Sequence, residues 1–142
     1  MENNFREIKK VMELKNANSY GERLYHYMGQ KNQIEWVIEK IKKNPYARST
    51  TITTFEPLTD FSYIPCISLL DFDVTDNKLN LYVYARALDF GNKACANFIC
   101  LFDILEYVAH ETNMEIGNIN IIMKSAHIYL DDIHNVNKIL ES

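Results

Sequence analysis

The chain has 142 residues, 47% of them hydrophobic and 24% charged, with a formal net charge of -4 at pH 7. That size suits a single domain with a sizeable core, and the composition is that of a soluble globular protein. The acidic balance argues against a nucleic-acid polymer as partner, whereas a small anionic ligand needs only a few local cations.

Residues 4–17 read as a polar helix with a thin apolar stripe of Phe5, Ile8, Val11, Met12 and Leu14. Asn16 to Asn18 breaks it, and Tyr20-Gly21 marks a turn. Residues 32–43 form an amphipathic helix with Ile34, Val37, Ile38 and Ile41 on one face. Asn44-Pro45 stops it, since proline cannot continue a helix and restricts the residue before it. Ser49 to Phe55 is β-branched and alternating, which predicts a strand. Residues 66–74 form the next strand, Asp76-Asn77-Lys78 a hairpin turn, and residues 79–88 the return strand. In the return strand Leu79, Leu81, Val83 and Ala85 share one face, and Asn80, Tyr82, Tyr84 and Arg86 the other. Gly91-Asn92 starts a helix through about residue 112, with Phe98, Leu101, Phe102, Leu105 and Val108 at helical spacing. Gly117 opens a strand through Leu130, and a short helix over 131–140 closes the chain. The order is mixed, with an antiparallel pair, so the fold class is α+β in one domain, 1–142.

Met1-Glu2-Asn3-Asn4 is not the start of a signal peptide, and no apolar run is long enough to cross a bilayer as a helix. The three cysteines, Cys66, Cys95 and Cys100, form no metal-type pair with histidine. An odd count without a secretion signal suggests reduced thiols, so a cytoplasmic protein with no metal and no membrane partner is expected. Lys9-Lys10 and Lys42-Lys43 fall at ends of predicted helices, where they complement helix dipoles.

The candidate chemistry starts at Cys66, which follows Pro65 at the mouth of a hydrophobic strand. Most free cysteines are small buried apolar side chains. A reactive one attacks as the thiolate, which nearby positive charge favours. Arg86 lies near the end of the strand expected to pair with that of Cys66, so it can supply the charge, or it can be a surface cation. Cys95 and Cys100, on or before the apolar helix, are expected to react slowly. Asp89 can cap a helix, and Asn97 can be an ordinary early-helix polar residue. His127 and Tyr129 are two apart on a predicted strand, so they point to one face, as a core pair or a ligand pair. Arg48 can be a post-helix surface cation, and His26, His110 and His134 are surface or structural residues.

Pro65-Cys66, then Arg86-Ala87-Leu88-Asp89, Asn97 and Ala126-His127-Ile128-Tyr129-Leu130, taken in this order, resemble the active-site half of the thymidylate synthases and related pyrimidine nucleotide hydroxymethylases. The resemblance covers about residues 17–140. It implies a thymidylate synthase-like mixed sheet with packed helices, truncated at both ends relative to the family's longer members. It implies that Cys66 adds to C6 of a pyrimidine nucleotide or nucleoside. C5 would then accept a one-carbon unit from 5,10-methylenetetrahydrofolate, by methylation or, with water quenching the intermediate, hydroxymethylation. By the same resemblance Arg86 binds the phosphate, Asn97 reads a uracil-type base, and His127 and Tyr129 hold the sugar 3′-hydroxyl. Asp89 contacts the pterin of the folate, and Arg48 reaches across a homodimer to the neighbour's phosphate.

The chain departs from the family pattern at several places. Ser49 stands for a second arginine, Ile67 for a histidine, Ala85 for a glutamine and Ala87 for a phosphate-binding serine. Cys95-Ala96 stand for Pro-Phe, Glu22-Arg23-Leu24 for Gln-Trp-Arg, and Glu56 for an asparagine. No residue takes the place of the family's proton-transfer glutamate by register. These losses imply weaker phosphate dependence. They also leave open an inactive nucleotide-binding or regulatory homologue, or a subunit that needs a partner to complete the site.

Overall fold

The computed structural model describes residues 18–61 and 63–141. The helix expected over 4–17 lies outside them. Ser19 caps a six-residue helix, α1 (Tyr20–Tyr25), its hydroxyl accepting from the Glu22 N–H. Tyr20-Gly21 is therefore the start of a helix and not the turn that its composition suggested. Asn32 caps α2 (Gln33–Lys43) in the same way, and its predicted stripe of Ile34, Val37, Ile38 and Ile41 is wholly buried.

Four strands build the main sheet: β1 (Thr51–Thr53), β2 (Ile67–Thr75), β3 (Lys78–Ala85) and β5 (Glu115–Met123), in the order β1-β2-β3-β5. The first two pairings are antiparallel and the last is parallel, so the sheet is mixed. The β2–β3 hairpin turns at Asp76 and Asn77, both with positive φ (51° and 61°), the backbone that a tight two-residue hairpin needs and that Asp and Asn tolerate. Between β3 and β5 the chain crosses over through α3 (Ala94–Thr112), which ends on Asn113 in the left-handed conformation. α2 and α3 pack on each other, and with the inward set Leu79, Leu81, Val83 and Ala85 they enclose the core.

Register in β2 changes near its start. Ile67 pairs with Ala85 but Leu69 pairs with Tyr84, so Ser68 is an extra residue, a β-bulge. The bulge lets Ile67, Leu70 and Phe72 all face the core, while Leu69 faces outward. The strand expected to run to residue 88 stops at Ala85: after one further antiparallel bond, from the Arg86 N–H to the Cys66 carbonyl, the chain leaves the main sheet, and the Leu88 N–H donates to the Ser125 carbonyl. A separate two-residue strand, β4 (Leu88–Asp89), pairs in parallel with β6 (Ala126–His127). The strand expected over 117–130 is thus two strands, with Tyr129 capping a 3-10 turn, Leu130–Asp132. α4 (Ile133–Leu140) follows. Gly91 packs so tightly on this turn that a Cβ there would stand 2.8 Å from Asp132 Cβ, which holds the loop before α3 against the segment after β6.

Candidate active site

Cys66 sits in the bend that feeds β2, and Arg86 in the turn that leaves β3. The antiparallel register brings them together: the Arg86 N–H donates to the Cys66 carbonyl at 2.6 Å. The Arg86 guanidinium places Nη2 3.9 Å from Cys66 Sγ and 3.1 Å from the Ile64 carbonyl. Among the described residues its buried Nε has no hydrogen-bond partner. The neighbourhood also holds two phenols. Tyr20 Oη accepts from the Ile67 N–H at 2.9 Å. Burial pushes its phenol well above the ordinary range, against the Ile67 hydrogen bond, and Cys66 and Tyr63 push it further. Tyr63 is raised too, by burial and then by Cys66, while Arg23 and Arg86 pull it back.

Asn97 occupies the first turn of α3, its N–H donating to the Lys93 carbonyl at 3.1 Å. Its half-buried side chain lines a cavity of about 20 Å³ with Tyr20, Ile67 and Cys100. That volume holds about one water, so the cavity itself has no room for a ring. Burial, helped by Asp103, pushes the Cys100 thiol up, as expected of a slow thiol. Cys95 is exposed instead, because the first turn of α3 turns that side chain out to solvent.

The β4–β6 ladder joins the next group. Asp89 pairs with His127, and the Phe90 N–H donates to the His127 carbonyl at 2.8 Å. Asp89 is 8% exposed, and its Oδ1 accepts from the Gly91 N–H at 3.0 Å, so it shapes the entry to α3. Although Tyr129 lies beyond the strand, its ring meets His127 edge to face, 5.0 Å between centroids. Contacts thus join Cys66 with Arg86, and Asp89 with His127 and Tyr129, while Asn97 stands with Tyr20 and Ile67 at the cavity beside α3. Arg48 is apart from them, exposed on the link between α2 and β1.

Sequence reasoning missed a buried ion pair beside this group. Arg23 and Asp60 meet with Nη1–Oδ2 and Nη2–Oδ1 both at 2.7 Å, the side chains 2% and 4% exposed. Asp60 also accepts from the Glu56 N–H at 2.7 Å. Glu56 is itself 3% exposed, with Oε2 held by Asn18 and Thr59 and Oε1 without a partner among the described residues. Charged residues in a six-residue helix and in a turn gave no periodic sign of burial. Among the described residues no three His, Cys, Asp or Glu side chains gather as a metal site requires, and no helix is long and apolar enough to span a membrane.

Comparison with known proteins adds to this geometry. The family model described as thymidylate synthase matches residues 6–142, a span that includes every residue of the cluster. The chain belongs to the thymidylate synthase family. Proteins of Methanosarcina mazei and Methanosarcina barkeri, both named "Putative thymidylate synthase", are 39% and 38% identical over 125 residues, which is 87% of this chain and 58% of each relative. The thymidylate synthase of Mycoplasma genitalium is 31% identical over 119 residues, 82% of this chain and 41% of that protein. The chain thus spans little more than half the length of its Methanosarcina relatives, and its α+β architecture with a mixed sheet is in keeping with the family fold.

Proposed function

We propose that this chain catalyses one-carbon transfer to C5 of a pyrimidine nucleotide or nucleoside, with Cys66 as the nucleophile. The observation that carries the reading is the Arg86 guanidinium 3.9 Å from Cys66 Sγ, in a chain of this family. The thiolate forms a bond to C6, and the C5=C6 pair moves onto C5 and the O4 carbonyl. C5 then bonds to the one-carbon unit. As C5 bonds, one carbon–nitrogen bond of the donor would open; loss of the C5 proton would then release the donor's other nitrogen, and water or a hydride from the reduced donor would add to the exocyclic carbon as the S–C6 bond breaks and frees the thiolate. Arg86 stabilises the thiolate and offers donors to a phosphate. Asn97, at the cavity mouth, donates to O4 and accepts from N3–H, and His127 with Tyr129 takes the sugar hydroxyl.

A reduced folate, 5,10-methylenetetrahydrofolate, would supply the one-carbon unit at the oxidation level of formaldehyde. The Asp89 carboxylate, next to His127, is an acceptor suited to the ring N–H groups of a pterin. In this reading 1–142 works as one cytoplasmic domain, and two copies pair through the outer sheet face. Leu69, Tyr84 and Ile122 form one row across β2, β3 and β5 on that face, with Ile122 71% exposed. An apolar row of this kind is what a second sheet covers, and Arg48 would then reach the neighbouring site.

A 5-fluoro-2′-deoxyuridine monophosphate probe tests the mechanism, since fluorine at C5 cannot leave as a cation and the S–C6 bond persists. Incubation with the probe and methylenetetrahydrofolate, then intact mass after denaturation, should show an adduct that Cys66→Ser loses. No adduct with this probe, its nucleoside or the cytidine counterparts would overturn the catalytic reading in favour of a nucleotide-binding homologue.

A further inference from the structure

We infer that Arg23, Asp60 and Thr54 are positioning residues for Cys66, forming a clamp that fixes the peptide on which the thiol is mounted. The inference rests on the reading of Cys66 as the reacting group. Its basis is the way Ile67, the residue after Cys66, is held on both sides. The Ile67 N–H donates to Tyr20 Oη at 2.9 Å, and the Ile67 carbonyl accepts from the Thr54 hydroxyl. Tyr20 is on α1. Thr54 is fastened to α1 as well, because its carbonyl accepts from Arg23 Nη1 at 2.7 Å. Tyr20 and Arg23 are three residues apart, so they leave neighbouring positions on one helix face.

The Arg23 guanidinium binds more than Thr54. Nε donates to the Asn18 carbonyl at 3.0 Å, and both terminal nitrogens take the Asp60 carboxylate. Asp60 in turn accepts from the Glu56 N–H, so one fork closes the Thr54–Asp60 turn on itself and onto α1. The Gln33 side chain locks the other side of this assembly: its amide nitrogen donates to the Arg23 and Thr53 carbonyls at 2.8 Å and 2.7 Å. A planar guanidinium gives fixed directions that a flexible ammonium does not. The clamp also reaches the thiol's surroundings electrostatically, since Tyr63 lies in the combined field of Cys66, Arg23, Arg86 and Asp60. A buried pair serving stability alone has no need of a hydroxyl relay to the peptide beside the thiol. The relay through Thr54 is the observation that assigns the pair a role at the site.

The test reads thiol reactivity, with Cys100 in the same molecule as the slow internal reference. In the unaltered protein, iodoacetamide labels Cys66 faster than Cys100 by peptide mapping. Equal rates there would overturn the nucleophile reading and the clamp with it. In Arg23→Leu/Asp60→Leu, shown folded by circular dichroism, the Cys66-to-Cys100 rate ratio should fall about tenfold. A Cys66 that is fast in the unaltered protein and whose ratio is unchanged in the double variant overturns the clamp alone. Should the double variant fail to fold, Thr54→Val, which keeps the side-chain shape and removes only the hydroxyl on Ile67, is read for the same two outcomes.

Discussion

Replacing Arg23 by Ala should be among the most damaging single changes in this chain. Arg23 and Asp60 side chains are 2% and 4% exposed, so water does not screen their interaction. The change would leave the Asp60 carboxylate buried without its cation and the Thr54 and Asn18 carbonyls without their donor. Breaking a buried pair from one side costs about 3–5 kcal/mol, against a whole-domain stability of about 5–15 kcal/mol. With a urea dependence of about 2 kcal/mol per molar, the midpoint should fall by roughly 1.5–2.5 M. Arg23→Leu/Asp60→Leu should lose less than Arg23→Ala, because no charge is left uncompensated. Burial pushes the Asp60 carboxyl up, but the Arg23 fork, the Glu56 N–H and the Arg23 charge together hold it below the usual range. A carboxyl depressed on folding contributes fully above its unfolded value, about 3.9, and that contribution is lost as pH falls through the folded value. Stability of the unaltered protein should therefore drop below about pH 4 by an increment that the double variant lacks. A loss under about 1 kcal/mol in Arg23→Ala, or an acid profile identical in the double variant, would refute the account.

Asn97→Ala should abolish discrimination between uracil and cytosine nucleotides, read by calorimetry with both sets; retained selectivity would remove Asn97 from base recognition. Arg86→Ala should weaken phosphorylated ligands by about 1.5–3 kcal/mol and leave nucleosides little changed; equal losses for both would point to a structural role. Tyr20→Phe removes the acceptor of the Ile67 N–H and should cost about 1 kcal/mol of stability by urea titration. Sedimentation should find a dimer at micromolar concentration that Tyr84→Lys dissociates; a monomeric unaltered protein would remove the shared-site role of Arg48.

Much of the fold was legible because its signals are local. The α2 stripe, the Asp76-Asn77 turn and the alternation of Leu79, Leu81, Val83 and Ala85 each depend on neighbours within a few residues. The hairpin then made the approach of Arg86 to Cys66 foreseeable, since antiparallel pairing ties the start of one strand to the end of the next. Strand ends were not legible. The break after Ala85 and the split after Met123 both follow from the chain leaving the main sheet to form β4 and β6, a pairing across 38 residues. The burial of Arg23 could not be read either: its partner Asp60 lies 37 residues away, and a six-residue helix shows no period to reveal an inward face.

The bulge at Ser68 has a consequence for anyone placing relatives against this strand. Downstream, the even-numbered Leu70 and Phe72 point inward; upstream, the odd-numbered Ile67 does. Parity is inverted across one residue. Counted through an unbroken strand, Cys66 would fall in the even set, with the core side chains, as an inert buried thiol. Counted through the bulge, it falls with Arg86 on the outer side. Whether a homologue carries a shielded or an approachable thiol at this point therefore turns on whether it keeps the extra residue, even when the cysteine itself is identical.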